Sequence, residues 1–394
     1  MSNKVGHGSG LQYFAEAFER AGDSELGKEV IQFGLFELLN IADAERIHSQ
    51  VIVWLLSHDS SLSTAEKSKF LTSFLGLGDK VYRSIDAITE FQNIDILIRA
   101  DEDLFVIENK LKSSQHSDQL VKYVEILKDD ASGFWMLKGS SPPTFYFLTL
   151  INEFADCEGW INIGYGQLMN AIQQIDHEEQ HPLIRAYLTS LENLMRVVSD
   201  FNEDHRLFKS VFEDGSRTKW QKAQDIRDGK YSSAQAYIAK CQLETILQKM
   251  FMARIACHLN LEGDDTIEIN ETRGVALLQV RFANSSFEMG GRVFKLGIQF
   301  QGQSFKINMM ARDYFESKVD WIPVDVKNEF KAVAVEHNLR FNTSRWKAYL
   351  SISKRLPRSL WEYSFDELVD YVNVEGAKAR CICSDLKSRI KAIL

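Results

Sequence analysis

Proline is scarce in this sequence, with 5 positions among 394 residues, which excludes proline-rich low-complexity architectures and leaves helices and strands with few forced interruptions. No apolar run approaches the ~18 residues of a membrane span, so no membrane association is expected. The first residues, MSNKVGHGSG, carry no apolar stretch of signal-peptide type, and the expectation is an unprocessed cytoplasmic protein. The 5 cysteines are scattered without framework spacing, as reduced thiols would be, and Cys381-x-Cys383 lacks the partner pair of a zinc knuckle. No G-x-x-x-x-G-K is present, which removes the commonest nucleotide-phosphate loop. An excess of positive charge is missing too. The net charge of -9 rules out a surface coated with basic residues for nucleic acid, although one basic groove on an acidic body remains open.

What is present is an ordinary globular composition, 45% hydrophobic and 26% charged, on a chain long enough for two or three domains at roughly 150 residues each. Amphipathic periodicity predicts helices over Leu11 to Asn40, Asp43 to Leu56 with Asp43 as N-cap, and Thr64 to Leu75. Strands follow at Val81 to Phe91, Ile94 to Arg99 and Leu104 to Lys110. Next come a helix from Gln119, an apolar and aromatic strand at Thr144 to Ile151, a short strand at Trp160 to Gly164, and helices at Gln167 to Ile175 and Leu183 to Val198. The composition turns polar between about Glu203 and Ser233, which sets domains of 1–205 and 234–394 on either side of a polar linker, 206–233. The second domain reads as a helix from Ala234 to Leu259, antiparallel strands between Thr266 and Met310, and helices at Val324 to His337, Phe365 to Val372 and Ala377 to Leu394.

The chemistry concentrates between Ile94 and Tyr123. Asp95 and Glu108 both interrupt apolar strand patterns, where a lone carboxylate is costly unless it is paired or binds a metal. Two strands and a turn bring them together, and Lys110, two residues beyond Glu108, shares its face. Oxygen ligands in moderate number suit Mg2+ or Mn2+ with water and phosphate in the remaining positions. An ordinary same-face ion pair between Glu108 and Lys110 is the competing account. Gln119 and Tyr123 lie one helical turn apart, and Glu45, His48 and Ser49 share a helix face upstream.

These residues resemble the PD-(D/E)xK nuclease superfamily over roughly residues 35 to 200. The order of a helix with Glu45, three strands with Asp95 on the second and Glu108-Asn109-Lys110 on the third, then a helix and a strand, is similar to that superfamily's restriction-endonuclease-like αβββαβ core. ERIHSQVIVWLL at Glu45 to Leu56, E-N-K, and Gln119-Leu120-x-x-Tyr123 together resemble one bacterial branch of it. The resemblance implies an α/β fold for the first domain, and the strands and helices after residue 234 read as an α+β accessory domain that guides substrate or mediates homo-oligomerisation. The resemblance also implies that Asp95, Glu108 and the Asn109 carbonyl ligate Mg2+ or Mn2+, that Lys110 is catalytic, that Glu45 supports the same or a second metal, and that Gln119 and Tyr123 place substrate. The implied activity is phosphodiester hydrolysis, in DNA before RNA, with a role in defence against foreign DNA. The family's proline is absent, Asn93-Ile94 standing before Asp95.

Two other signals compete. His177-Glu178-x-x-His181 fits a zinc-protease motif, but that chemistry needs a continuous helix, and Pro182 follows directly. A basic run of Arg340, Arg345, Lys347, Lys354, Arg355 and Arg358, interleaved with Phe341, Trp346, Tyr349 and Trp361, suits phosphate contact and base stacking, or else a solvated strand over core aromatics. A binding protein that keeps the nuclease fold without its activity is the remaining alternative.

Overall fold

The computed structural model describes residues 31, 33–112, 119–128, 140–155, 157–175, 181–213, 219–272, 274–311, 322–343 and 349–394. They gather into two compact units, one of residues 31–203 and 219–246, the other of Asp204–Glu213 and Leu247–Leu394. Most of the helix expected from Leu11 lies outside the described residues.

The first unit starts with a single turn, α1 (Leu35–Leu38), followed by α2 (Glu45–Leu56) and α3 (Thr64–Leu75). Helix α3 starts where Ser63 and Glu66 cap each other's backbone N–H groups, an arrangement worth about 1 kcal/mol. Asp43 does not cap α2; Ala44 holds that position, and the Asp43 carboxylate is drawn instead to the Lys112 ammonium. Three antiparallel strands follow, β1 (Ile85–Phe91), β2 (Ile94–Ala100) and β3 (Asp103–Lys110), then α4 (Gln119–Lys128), β4 (Thr144–Thr149), β5 (Trp160–Gly164), α5 (Tyr165–Gln173) and α6 (Pro182–Glu203). The sheet order is β1-β2-β3-β4-β5, with β4 and β5 parallel to β3. The acidic turn between β2 and β3 is absorbed structurally. Asp101 accepts the Ser84 N–H at 2.9 Å, and Asp103 pairs with Lys80 at 2.6 Å.

Alternation along the strands sends neighbouring side chains to opposite faces. One face, with Leu97, Val106 and Phe147, packs under Leu120 and Tyr123 of α4. Helix α2 packs against β1, β2 and β3, where it meets the Asn109 side chain of the opposite face. A mixed sheet between helices, with three antiparallel strands leading into two parallel ones, is a restriction-endonuclease-like α/β core.

Between residues 205 and 233, where composition suggests a linker, the described chain forms a 3-10 turn (His205–Phe208), α7 (Lys209–Glu213) and α8 (Lys219–Arg227). The single helix expected from Ala234 is two, α9 (Ser233–Cys241) and α10 (Glu244–Cys257), because Gln242 adopts a left-handed conformation at φ 54° that ends α9.

The second unit carries β6 (Thr266–Thr272), β7 (Val275–Arg281), β8 (Phe287–Met289), β9 (Arg292–Gln301), β10 (Ser304–Ala311), α11 (Val324–Glu336), β11 (Arg340–Thr343), β12 (Tyr349–Arg355) and α12 (Phe365–Ile393). Its antiparallel sheet runs β11-β12-β10-β9-β7-β6, with β8 on β9. Buried Ile298, Ile307 and Ile352 line the face on which α11 and α12 pack. Helix α12 passes unbroken through Gly376, where two helices are expected from sequence. A mid-helix glycine costs about 1 kcal/mol, but here the helix lies on the sheet, and a Cβ at 376 would sit 3.8 Å from Ile298 Cδ1. Gly297 of β9 has no substitute, since a Cβ there would be 2.0 Å from the Val280 carbonyl oxygen.

Candidate active site

The site forms where the β2–β3 ladder ends. The last antiparallel pair at that end is Ile96 with Ile107, and Asp95 and Glu108 are the next residues outward. The Asn109 N–H, which continues no ladder to β2, donates to Asp95 Oδ2 at 2.8 Å and fixes that carboxylate. Glu108 is 0% exposed. The Lys110 ammonium pairs with Glu108 Oε1 at 2.6 Å, although neither Glu108 oxygen receives a hydrogen bond of good geometry.

Burial dominates the electrostatics. It pushes the Glu108 carboxyl up to about 8, with Asp95 adding repulsion and Lys110 compensating only in part. Asp95 is raised by burial as well, against the Asn109 N–H and Lys110. Burial acts downward on Lys110, and the combined negative charge of Glu108, Asp95 and Glu45 outweighs it, leaving the amine above its ordinary value. The centre is therefore two carboxylates deficient in positive charge beside a lysine that stays protonated.

Glu45 reaches this region from the first turn of α2. Its Oε1 accepts the Leu111 and Lys112 backbone N–H groups at 2.9 and 3.0 Å, clamping the chain just after Lys110. Its charge acts on both Asp95 and Lys110. The Asn109 side chain, 0% exposed, points to the other face, where it donates to the Glu45 carbonyl and Ser49 Oγ and accepts from the Tyr165 hydroxyl at 2.8 Å. From sequence a role falls to the Asn109 carbonyl alone, because an amide between Glu108 and Lys110 carries no local signal for this bracket. His48 does not join the site. It is buried, bonded to Tyr187 Oη and the Ala42 carbonyl, each at 2.9 Å, and desolvation lowers its pKa to about 4.

On the other flank, Gln119 Nε2 donates to Tyr123 Oη at 2.7 Å, and Tyr123 donates to the Asn93 carbonyl. The Tyr123 phenol, raised by burial and by Glu108, lies beside the carboxylates. Asp95, Glu108, Lys110 and Tyr123 thus share one edge, with Glu45 at the adjoining chain reversal. His177 and Glu178 lie outside the described residues, and His181 precedes α6, its ring 5.4 Å from that of Trp54. Arg345, Trp346 and Lys347 also lie outside them.

A divalent cation suits this donor set. Buried carboxylates pushed toward protonation, one with both oxygens lacking a well-placed donor, are what a hard cation would relieve, and Mg2+ commonly takes one or two carboxylates while keeping several waters. Among the described residues no three of His, Cys, Asp and Glu form a set that could hold a metal. The fit is to the Asp95 and Glu108 pair.

Fold and site together define a nuclease-type α/β core with carboxylates and a lysine at the end of its antiparallel ladder. Residues 33–210 match the family model of the PD-(D/E)XK nuclease superfamily. The superfamily is one of nucleases, whose substrate is nucleic acid and whose members generally use divalent metals. No curated protein and no solved structure matches the chain. Among the described residues no helix is long and apolar enough to cross a membrane.

Proposed function

We propose that the chain is a metal-dependent nuclease that hydrolyses phosphodiester bonds in DNA. The observation that carries this reading is Glu108, wholly buried against Asp95 with both oxygens short of hydrogen bonds and its carboxyl pushed up to about 8. Asp95 and Glu108 would hold Mg2+ or Mn2+, with the Asn109 carbonyl as a further oxygen donor. The bound ion supplies Lewis acidity and a water of lowered pKa. Lys110 keeps its proton among three carboxylates and places a fixed positive charge where the phosphate gains negative charge. Asn109 orients Asp95 through its backbone N–H. Glu45, with Oε1 engaged by two backbone donors, holds the chain after Lys110 and adds negative potential rather than a direct bond to the ion. Gln119 and Tyr123 flank the site and position the strand.

The test is cleavage of linear, circular and single-stranded DNA, with RNA in parallel, in Mg2+ and in EDTA. Wild type cleaves DNA only with metal, and Asp95→Ala and Lys110→Ala each lose at least a hundredfold; cleavage surviving both substitutions overturns the assignment. Binding without cleavage in any arm favours a non-catalytic protein on the same fold. The resemblance also carries a defence role, tested by phage plating on cells expressing wild type or Asp95→Ala.

A further inference from the structure

The second unit has a sheet face unlike its covered one. Residues directly opposite in register share a face. Lys306 pairs with Gln299 and Ser353, Met310 with Lys295 and Tyr349, and Arg340 with Ser353. The centre of this face is a floor of buried polar groups bonded to one another. Arg281 Nη1 donates to Asn308 Oδ1 at 2.8 Å, and Asn308 Nδ2 and the Tyr349 hydroxyl both donate to Gln299 Oε1 at 3.2 Å. Arg281 reaches Asn308 across Gly297, which offers no side chain between them.

Around this floor stand cations without counter-charges. Lys295 and Lys306 are half-buried and Arg340 is exposed, and among the described residues none of the three makes an ion pair. Elsewhere in the unit Lys354, Arg358, Arg380 and Arg389 all pair with carboxylates. Burial lowers the Lys306 pKa and no neighbouring charge offsets it. Strands β7, β9, β10, β11 and β12 contain no Asp or Glu at all, in a chain whose net charge is -9. Among the described residues glutamates enter this face only at its margins, Glu268 of β6 opposite Gln279 and Glu288 of β8 opposite Val293, and an amide-floored centre rimmed by these cations on an acidic protein complements a polyanion.

We propose that this face binds the phosphodiester backbone of duplex DNA, with Lys295, Lys306 and Arg340 contacting phosphates. It rests on the reading of the chain as a DNA nuclease and gives the second unit the task of holding substrate. Such contacts position a duplex and carry no base information, so binding here is independent of sequence.

The experiment is fluorescence anisotropy of a labelled duplex with the full-length chain in EDTA, where turnover does not enter, between 50 and 250 mM salt. The triple variant Lys295→Ala, Lys306→Ala, Arg340→Ala is compared with wild type and with Lys391→Ala on α12. Each phosphate contact contributes about 0.9 to the slope of log affinity against log salt. The triple variant therefore loses between two and three in slope and at least tenfold in affinity at 50 mM salt, and Lys391→Ala loses neither. Should the alanine variant unfold, the same three positions as glutamine carry the test. Unchanged slope and affinity overturn the proposal, as does binding that prefers RNA, or a loss confined to self-association in sedimentation. Wild type that cleaves DNA while the triple variant binds as before removes the surface and keeps the nuclease. Wild type that binds through the three cations yet cleaves nothing does the reverse.

Discussion

Replacing Glu108 with glutamine should make the metal-free protein more stable, although it removes a residue the nuclease requires. An ordinary glutamate titrates near 4.5, and burial with Asp95 alongside moves Glu108 to about 8. A carboxyl whose folded pKa lies above its unfolded one subtracts stability, with the penalty absent below the lower value, growing as pH rises between the two, and complete above the upper. At pH 7 that penalty is about 3 kcal/mol, or roughly 6–12 °C in melting temperature for a unit of this size. Glutamine keeps the shape without the charge, and Asp95 remains as a counter-charge for Lys110. In EDTA, wild type should melt progressively lower from pH 5 to pH 8 while Glu108→Gln stays nearly level and melts higher at pH 8. Calcium, which binds without supporting turnover, should close most of the gap at pH 7, because a cation at a hundred times its Kd stabilises wild type by about 2.7 kcal/mol and the variant by much less. Differential scanning calorimetry over this pH range reads both effects. A variant that melts at or below wild type in EDTA at pH 8 refutes the reasoning, since Glu108 would then be a satisfied ion-pair partner.

His48, buried and held near a pKa of about 4 against an ordinary 6.5, has the opposite sign. Its contribution is complete above pH 6.5 and is lost as pH falls toward 4, roughly 2.5 kcal/mol by pH 4.5, read as the difference in urea midpoint between wild type and His48→Gln. Asn109→Leu strips three side-chain hydrogen bonds and leaves the Tyr165 hydroxyl buried and without its acceptor, costing about 3–5 kcal/mol; adding Tyr165→Phe should recover 1–2 of these in a double-mutant cycle (about 1–3 kcal/mol per unsatisfied group). Gly297→Ala, whose Cβ meets the Val280 carbonyl oxygen at 2.0 Å, should lower the unfolding transition of the second unit by about 2–4 kcal/mol without a compensating side-chain movement.

Much of the core was legible because apolar alternation is strong there and two carboxylates violate it. Asp95 and Glu108 were visible as intrusions, and the strand from Ile94 and the helix Thr64 to Leu75 lie where periodicity puts them. What was not legible depends on partners distant in sequence. Asp43 has the chemistry of an N-cap, and only the folded chain brings Lys112 close enough to claim it. Asn109 looks like a polar residue between two charged ones, while its bracket joins Ser49 and Tyr165. Gly376 reads as a helix end because tertiary packing, which carries α12 through it, is invisible to propensity. The basic run after Arg340 changed most. Lys354 pairs with Glu375, Arg358 pairs with Glu367, and Trp361 is core, whereas the cations without partners, Lys295 and Lys306, sit singly on strands where no run announces them.

The two-residue turn between β2 and β3 makes the meeting of Asp95 and Glu108 a local event during folding. Ala100 pairs with Asp103 across Asp101 and Glu102, and Asp101 takes the left-handed conformation that such hairpins favour. A hairpin of this kind closes in about 1–10 μs, whereas the parallel pairing of β3 with β4 must wait for the whole stretch from Lys110 to Thr144 to be drawn in. The two carboxylates therefore meet while both are still hydrated, and their repulsion becomes expensive only when α4 and β4 expel water in the last stages of assembly. The electrostatic burden of the site falls on the lifetime of the folded state and leaves its rate of formation almost untouched.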